Sequence, residues 1–406
     1  MNNHSSNFPE IELADVLKDI FDGPRRVQFI ENGVPYIRLA DLESGEIYLD
    51  PNQNVGPLDI DPRYYLVPGD ILVTKTGDEP RSALVSDEAR GALTGSDIFC
   101  LRLPDDKLSA TWLSYFFNTT YGQGLLIERS TGVTVRRLRL ADLRSISTQI
   151  PPVDLVKEVE QLEQQAQQQS RAAHEIWTAI RRGMYSEIDD RAGISENLDA
   201  LNIDNLLASQ TVQAIFQPLR EVAKIAISSR KMLKENQSVQ YVQVSDIDPQ
   251  SFLFRRSRRA LVQELPSRIR LPIQMYQVLL LASGSNLGMP GHPVAVVDQT
   301  LDGGFASNAF LALEFSETPI YYAIALKHPL VLAQIRKMSV GEVVSTLRKK
   351  DIVNLRIPVL SSVWRQDFND RAKLAWERRS MALELRRRAM LIVEEFVQKS
   401  VSGVQP

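Results

Sequence analysis

Hydroxyl and cationic side chains gather beside single glycines in two stretches of this chain. Thr131, Thr134, Arg136, Arg137 and Arg139 surround Gly132, and Ser345, Arg348, Lys349 and Lys350 follow Gly341. Hydroxyls and cations at a loop tip suit contacts to phosphate oxygens, and arginine can also bond a guanine edge with two donors. A solvated charged strand would have the same composition. The recurrence of the cluster at equivalent positions turns the reading towards binding. Lys75, Thr76 and Arg81 flank Gly77 in the same way, and Ser283, Ser285 and Asn286 flank Gly284. The densest basic run is Arg255, Arg256, Arg258 and Arg259, followed by Arg268 and Arg270. A phosphate-facing surface is expected there, with a hydrated surface or an acidic partner as the alternatives.

Catalytic patterns are weaker. Asp61-Pro-Arg-Tyr64 approaches the Asp-Pro-Pro-Tyr signature of adenine-N6 methyltransferases, but Arg63 stands in place of the second proline and no glycine-rich cofactor loop lies nearby. A plain turn accounts for it. His4, His174, His292 and His328 have no metal-ligand spacing. The Gly69 to Gly77 segment lacks the Gly-Lys-Ser/Thr ending of a phosphate-cradling loop. No pair of carboxylates with a lysine resembles a nuclease centre. Cys100, in Ile98-Phe-Cys-Leu101, reads as a core strand residue. The expectation is a chain with no catalytic residues, metal or cofactor of its own.

The elements that must position these clusters come in two copies. Gly132, Val135, Leu138 and Asp142 recur as Gly341, Val344, Leu347 and Asp351, 209 residues on. Pro35-Tyr-Ile-Arg-Leu-Ala-Asp-Leu42 matches Gln240-Tyr-Val-Gln-Val-Ser-Asp-Ile247, and Ile71 to Gly77 matches Val278 to Gly284. Ser96 to Phe99 matches Ser307 to Phe310. A period near half the chain means duplication of a globular unit, since solenoid repeats are far shorter. Alternating apolar positions predict a strand over 33–42, an apolar β-rich run ended by glycine predicts another over 71–77, and 45–50, 83–85 and 98–103 read as further strands. Ser109 to Tyr121, with Trp112, Leu113, Phe116 and Phe117 at helical spacing, predicts an amphipathic helix whose aromatics are core; its copy is Ile320 to Ile335.

Each copy ends in a long polar helix. Leu155, Val159, Leu162, Ala166, Gln169, Ala173, Ile176 and Ile180 make a heptad seam. Phe368, Ala375, Ala382, Leu385, Ala389, Ile392 and Phe396 make a second one, interrupted by Arg371 and Arg378. About 32 residues make a rod of about 48 Å. The fold class expected is α+β: two similar β-rich domains, each followed by a long helix, the two helices pairing as an antiparallel coiled coil. The expected boundaries are 1–152 for the first domain, 153–187 for its helix, 188–212 for a linker, 213–360 for the second domain and 361–402 for the second helix.

Bulk properties agree with a globular protein of two to three domains. The 406 residues carry a formal charge of −3, unevenly spread. Residues 10–100 hold 8 Lys+Arg against 18 Asp+Glu, whereas residues 220–300 hold 11 against 6. Nucleic-acid binding is thus easier to assign to the second half. The single cysteine excludes an internal disulfide and fits a reducing cytoplasm. No apolar run is long enough for a membrane span, and the first seven residues lack a signal peptide's apolar core.

Taken in order, Tyr36-Ile-Arg-Leu-Ala-Asp-Leu42, Pro68-Gly-Asp-Ile-Leu-Val-Thr-Lys-Thr-Gly77, Gly132-Val-Thr-Val-Arg-Arg-Leu138, Ile150-Pro-Pro152 and a long helix, all repeated once, resemble the specificity subunit of type I restriction-modification systems. The resemblance spans nearly the whole chain. It implies two target recognition domains, each reading half of a split double-stranded DNA sequence, and paired helices that set the unread spacing. It implies docking of methyltransferase subunits, two of them, joined by translocase-nuclease subunits, with no active site in this chain. Two departures stand out: Asp154-Leu-Val-Lys157 follows the prolines where the family commonly has Gln, and Ile357-Pro-Val359 lacks the second proline. DNA contacts are expected from Lys75, Thr76, Arg81, Thr134, Arg136, Arg137, Arg255, Arg256, Arg258, Arg259, Ser285, Asn286, Ser345, Arg348 and Lys349. The residues leave open an alternative, an interaction module of another defence system that binds protein partners through the coiled coil and the acidic first lobe.

Overall fold

A computed structural model describes residues 8–24, 27–49, 53–56, 60–77, 79–104, 107–132, 136–194, 202–226, 234–248, 252–285, 287–341 and 345–402. It is an α+β chain of two compact units, residues 1–171 with 379–406 and residues 172–378.

In the first unit, Ile71–Thr74 is buried throughout and lies inside a four-stranded antiparallel sheet of order Asp19–Asp22, Ile98–Arg102, Ile71–Thr74, Ser82–Leu84. A continuous apolar run is what a strand covered on both faces requires. Trp112, Leu113, Phe116 and Phe117 are fully buried in the core with Ile71, Val73, Phe99 and Leu101. Cys100 is buried in its strand, as expected. A second pairing, Glu10–Glu12 with Ser147–Gln149, ties the start of the described chain to the segment just before the first long helix. Tyr36 and Ile37 pair in parallel with Leu93 and Thr94.

The second unit repeats each of these. Its sheet runs Ala223–Ile225, Phe310–Phe315, Val278–Leu281, Val294–Val296. Phe216–Pro218 pairs with Arg356–Pro358, and Tyr241 and Val242 pair in parallel with Phe305 and Ala306. The repeat extends to a turn of 3-10 helix closed by an aspartate: Asp41 accepts the Arg38 N–H (2.9 Å) and Asp246 accepts the Gln243 N–H (2.7 Å).

The aromatic helices differ from expectation in one respect. Each is broken into two, Ala110–Phe116 with Thr120–Glu128 and Pro319–Ala325 with Pro329–Met338. The break lies at the residue that caps the second piece. Thr119 Oγ1 accepts the Gly122 N–H (2.9 Å), and His328 Nδ1 accepts the Leu330 N–H (3.2 Å). A side chain that satisfies the first free amides starts a new helix there.

The long helices span Val153–Ala192 and Ser362–Ser402. The first therefore outlasts its expected end at 187; a short helix, Ile203–Ala208, lies in the stretch expected as linker, and another, Gln210–Ile215, runs from it into the stretch expected as the second domain. The compact units divide within the long helices, not at their ends. Seam residues Val159, Leu162, Ala166, Ala173 and Ile180 are buried, as are Phe368, Ala375, Ala382, Ala389 and Phe396. Arg371 and Arg378 do not interrupt the second seam, because they lie exposed beside it. The charges on the seam are Arg379 and Arg386, whose side chains are each 13% exposed.

Candidate nucleic-acid interface

The glycine loops that the sequence presents separately are joined by backbone bonds. In the first unit Leu138 N–H donates to the Lys75 carbonyl (2.8 Å) and Gly77 N–H to the Arg136 carbonyl (3.1 Å). Thr76 bridges to Arg137, and Arg137 exchanges bonds with Thr131 in both directions (2.8 and 3.0 Å). In the second unit Leu347 N–H donates to the Ala282 carbonyl (2.8 Å), Ser283 pairs with Thr346, and Thr346 exchanges bonds with Val340 (2.9 and 3.0 Å). The turn residues Gly132 and Gly341 have φ of 122° and 125°. Side chains rarely adopt that region, which is why glycine stands at this turn in both copies. Each unit thus presents one composite loop pair on a β scaffold, a common site for recognition residues.

The side chains divide by their partners. Arg136 and Arg137 are exposed; Arg136 donates to the Ile127 carbonyl (3.3 Å), and Arg137, 64% exposed, stands 3.9 Å from Asp97. In the second unit Arg348, 54% exposed, pairs with Asp351, and Lys349 and Lys350 are exposed beside it. Ser345 is half-buried on the strand that pairs with Ser283–Gly284. Ser285 is exposed. Thr134 and Asn286 lie outside the described residues.

Other expected contacts hold structural duties that the sequence did not reveal. Lys75, 17% exposed, pairs with Asp22 and lies 5.0 Å from the centre of the Phe99 ring. Arg81, 18% exposed, donates to the Leu42 carbonyl (2.9 Å) and stands 3.5 Å from Glu43. Arg256 and Arg258 both bond the fully buried Asp246, at 2.8 and 3.3 Å. The Arg255 N–H donates to the Asp246 backbone carbonyl (2.8 Å). A buried carboxylate needs such partners, so the basic run is spent largely on holding its own turn. Arg259 is the exposed cation of that run, and Arg268 and Arg270 are exposed nearby in sequence.

Asp61 caps the turn Pro62–Tyr64 by accepting the Arg63 N–H (3.0 Å), so this stretch is a turn. Among the described residues no group of His, Cys, Asp and Glu could hold a metal ion, and no helix is long and apolar enough to cross a membrane.

Sequence reasoning missed two clusters. One is Glu46, Glu163, Arg379 and Arg386 in the first unit; the available signal was the seven-residue spacing of the two arginines within the seam. The other is Phe252 with Trp177 and Trp376 in the second unit, with ring centroids 4.3 and 5.8 Å apart.

No family model matches the chain, and no curated protein does. Among solved structures it is similar to the S subunit of a type-I restriction-modification system from M. genitalium, at 15% identity and a TM-score of 0.40, covering 99% of this chain and 97% of that one. It is also similar to the HsdS subunit from Thermoanaerobacter tengcongensis, at 13% identity and a TM-score of 0.32, covering 98% of each chain. A chain from a study of complex assembly and conformational transition of the type I R-M system matches at 15% identity and a TM-score of 0.32, covering 97% of each.

Proposed function

We propose that this chain is a non-catalytic DNA-recognition subunit of a type I restriction-modification complex, reading a bipartite duplex target. One observation carries the reading: the same loop pair is built twice, with the same backbone bonds and the same glycine turn, and exposed cations stand beside it each time. Two related surfaces in one chain suit a target in two parts, as paired modules suit paired half-sites. The resemblance of the ordered motifs supplies the system. Chemistry on DNA would then reside in methyltransferase and translocase-nuclease subunits, in the cytoplasm. Leu374, Met381 and Leu391 are exposed on the second long helix, which supports docking of partner helices there.

The test is duplex binding by the chain purified with its native partners. Arg348→Glu with Lys349→Glu and Lys350→Glu should weaken binding across sequences. Each lost phosphate contact should flatten the dependence of log K on log salt by about 0.9. Arg259→Glu should act likewise, whereas Arg256→Glu should unfold its turn by abandoning Asp246. Unchanged affinity and unchanged salt slope in the triple variant would overturn the assignment. A second reading draws on the first unit, where residues 10–100 are strongly acidic and Lys75 and Arg81 are already paired. That lobe would bind a protein partner, and Arg136→Glu with Arg137→Glu would leave DNA affinity unchanged.

A further inference from the structure

In the first unit the two long helices meet through charges. Arg386 bonds both oxygens of Glu163 (3.3 and 3.4 Å), and Arg379 and Arg386 each donate to Ser170 Oγ (3.3 Å). Stepping seven residues forward from Arg379 to Arg386 steps seven back from Ser170 to Glu163, so these stretches run antiparallel in one register. The lobe enters the same cluster. Glu46, on the hairpin Leu42–Glu43 and Glu46–Ile47, bonds both arginines, and Tyr48 accepts from Arg379 (2.6 Å) while donating to Glu46 (2.6 Å). Tyr115 donates to Glu163 (2.6 Å) and Gln167 donates to the same carboxylate (3.1 Å). Glu46 is 11% exposed. Burial favours its neutral form, but the two arginines override this and hold its carboxyl well below the usual carboxylate range.

The small and aliphatic positions of the surrounding seam do not select a register by themselves. Ala166, Ala382 and Ala389 are small, and Val159, Leu162 and Val393 are interchangeable aliphatics. A slip of one heptad keeps apolar residues against apolar residues. It does not keep the charges satisfied. In one direction Arg386 moves opposite Ser170 and Glu163 opposite Val393; in the other Arg379 meets Glu163 and Arg386 meets Val156. Either way a buried charge faces an aliphatic side chain, and such stranded charges are strongly destabilising. A single polar position in a seam is known to choose register at a cost in stability.

The second unit fills the corresponding joint with aromatic rings. Ile247 and Phe254 bridge where the hairpin closes, and Phe252 packs against Trp177 and Trp376. Trp177 and Arg386 are 209 residues apart, the period of the duplication. The equivalent helix position is therefore an aromatic wall in one copy and a cation in the other. Phe252 in the ionic seat would strand two arginines, and Glu46 in the aromatic seat would meet two tryptophan rings.

We propose that Glu46, Glu163, Arg379 and Arg386 are a register lock: they set the axial alignment of the two long helices and seat the first lobe on its own stretch of them. These are positioning residues; that they thereby position DNA-reading loops rests on the function proposed above. The test uses the full chain with spin labels on cysteines at Gln165 and Arg388, both exposed in the first unit, while the buried Cys100 stays unlabelled. The wild type should give one narrow distance. The variant Glu46→Leu/Glu163→Leu/Arg379→Leu/Arg386→Leu should keep or raise its melting temperature yet add a population slipped by about 10 Å along the axis, seven residues of helix rise. A folded variant with one unchanged distance overturns the lock. If that variant does not fold, Glu46→Gln decides: faster hydrogen exchange over 42–47 with a broadened distance supports the lock, and wild-type values for both overturn it. Neither readout involves DNA, so a wild-type chain that binds no duplex would sink the proposed function and leave the lock intact.

Discussion

The two units share strand order, helix breaks and glycine turns, yet they secure equivalent places with opposite chemistry. Where the first unit seats its hairpin on arginines, the second inserts a phenylalanine between tryptophans. Where the first has Asn118, the second has Lys327, again 209 residues on. Asn118 donates to the Ser82 and Ser114 carbonyls (2.7 and 3.1 Å) and accepts the Ser82 N–H (2.9 Å). Lys327 is buried at the same turn, and burial pushes its ammonium down to about 8, with Arg181 adding to the effect and Asp248 opposing it. The lesson is that a duplicated fold conserves backbone geometry, while the side chains filling it are free to change kind provided each buried polar group finds a partner.

The largest effects should come from the joints. Arg386→Ala leaves Glu46 and Glu163 short of a partner and should cost the first unit about 3–5 kcal/mol. Phe252→Ala should cost the second unit about 3–5 kcal/mol through the cavity it leaves. Hydrogen exchange should assign each loss to its own unit. Losses spread evenly over both would break the comparison.

Next come the paired positions Lys327 and Asn118. Lys327→Met removes a cation held below its ordinary 10.5 and should stabilise the second unit by up to roughly 3 kcal/mol. The wild-type penalty is complete below pH 8 and fades as pH rises towards 10.5, because only there does the unfolded state bind the extra proton. Asn118→Met should do the reverse, costing the first unit about 1–3 kcal/mol for the polar groups it leaves unbonded. Thermal melts at pH 7 read both; a destabilised Lys327→Met would mean that the ammonium is better satisfied than its burial implies.

Acid should separate the joints more gently. Glu46 titrates below its ordinary 4.5 in the folded chain, so its stabilisation is present above that value and is lost as pH falls. By pH 3 the first unit should have lost about 2 kcal/mol on this account. The rings of the second unit's joint, Phe252, Trp177 and Trp376, do not titrate. Hydrogen exchange at pH 7 and pH 3 should therefore open residues 42–47 before residues 252–254, and Glu46→Gln should abolish the difference.

The smallest effects should be equal ones. Gly132→Ala and Gly341→Ala force a side chain into positive φ, at about 1–3 kcal/mol each. Matching losses would show that the turns, unlike the joints, kept one design after duplication, and unequal losses would show that one loop has drifted.

Several features were legible in sequence because they are local or periodic. The duplication is a spacing, the seams are a spacing, and Gly132 and Gly341 mark turns that only glycine makes cheaply. The apolar runs at Ile71 and Val278 are strands because covered strands are apolar on both faces. The aromatics from Trp112 to Phe117 are core, although the helix break at Thr119 was hidden, since one capping hydroxyl decides it. Tertiary structure alone decided which cations are free to bind. Lys75 meets Asp22 across 53 residues, Arg256 turns onto Asp246, and Arg379 reaches Glu46 across 333. Composition counts such arginines and lysines as surface charge, but a buried carboxylate draws whichever cation the fold brings within reach. That choice depends on three-dimensional proximity, which no spacing along this chain encodes.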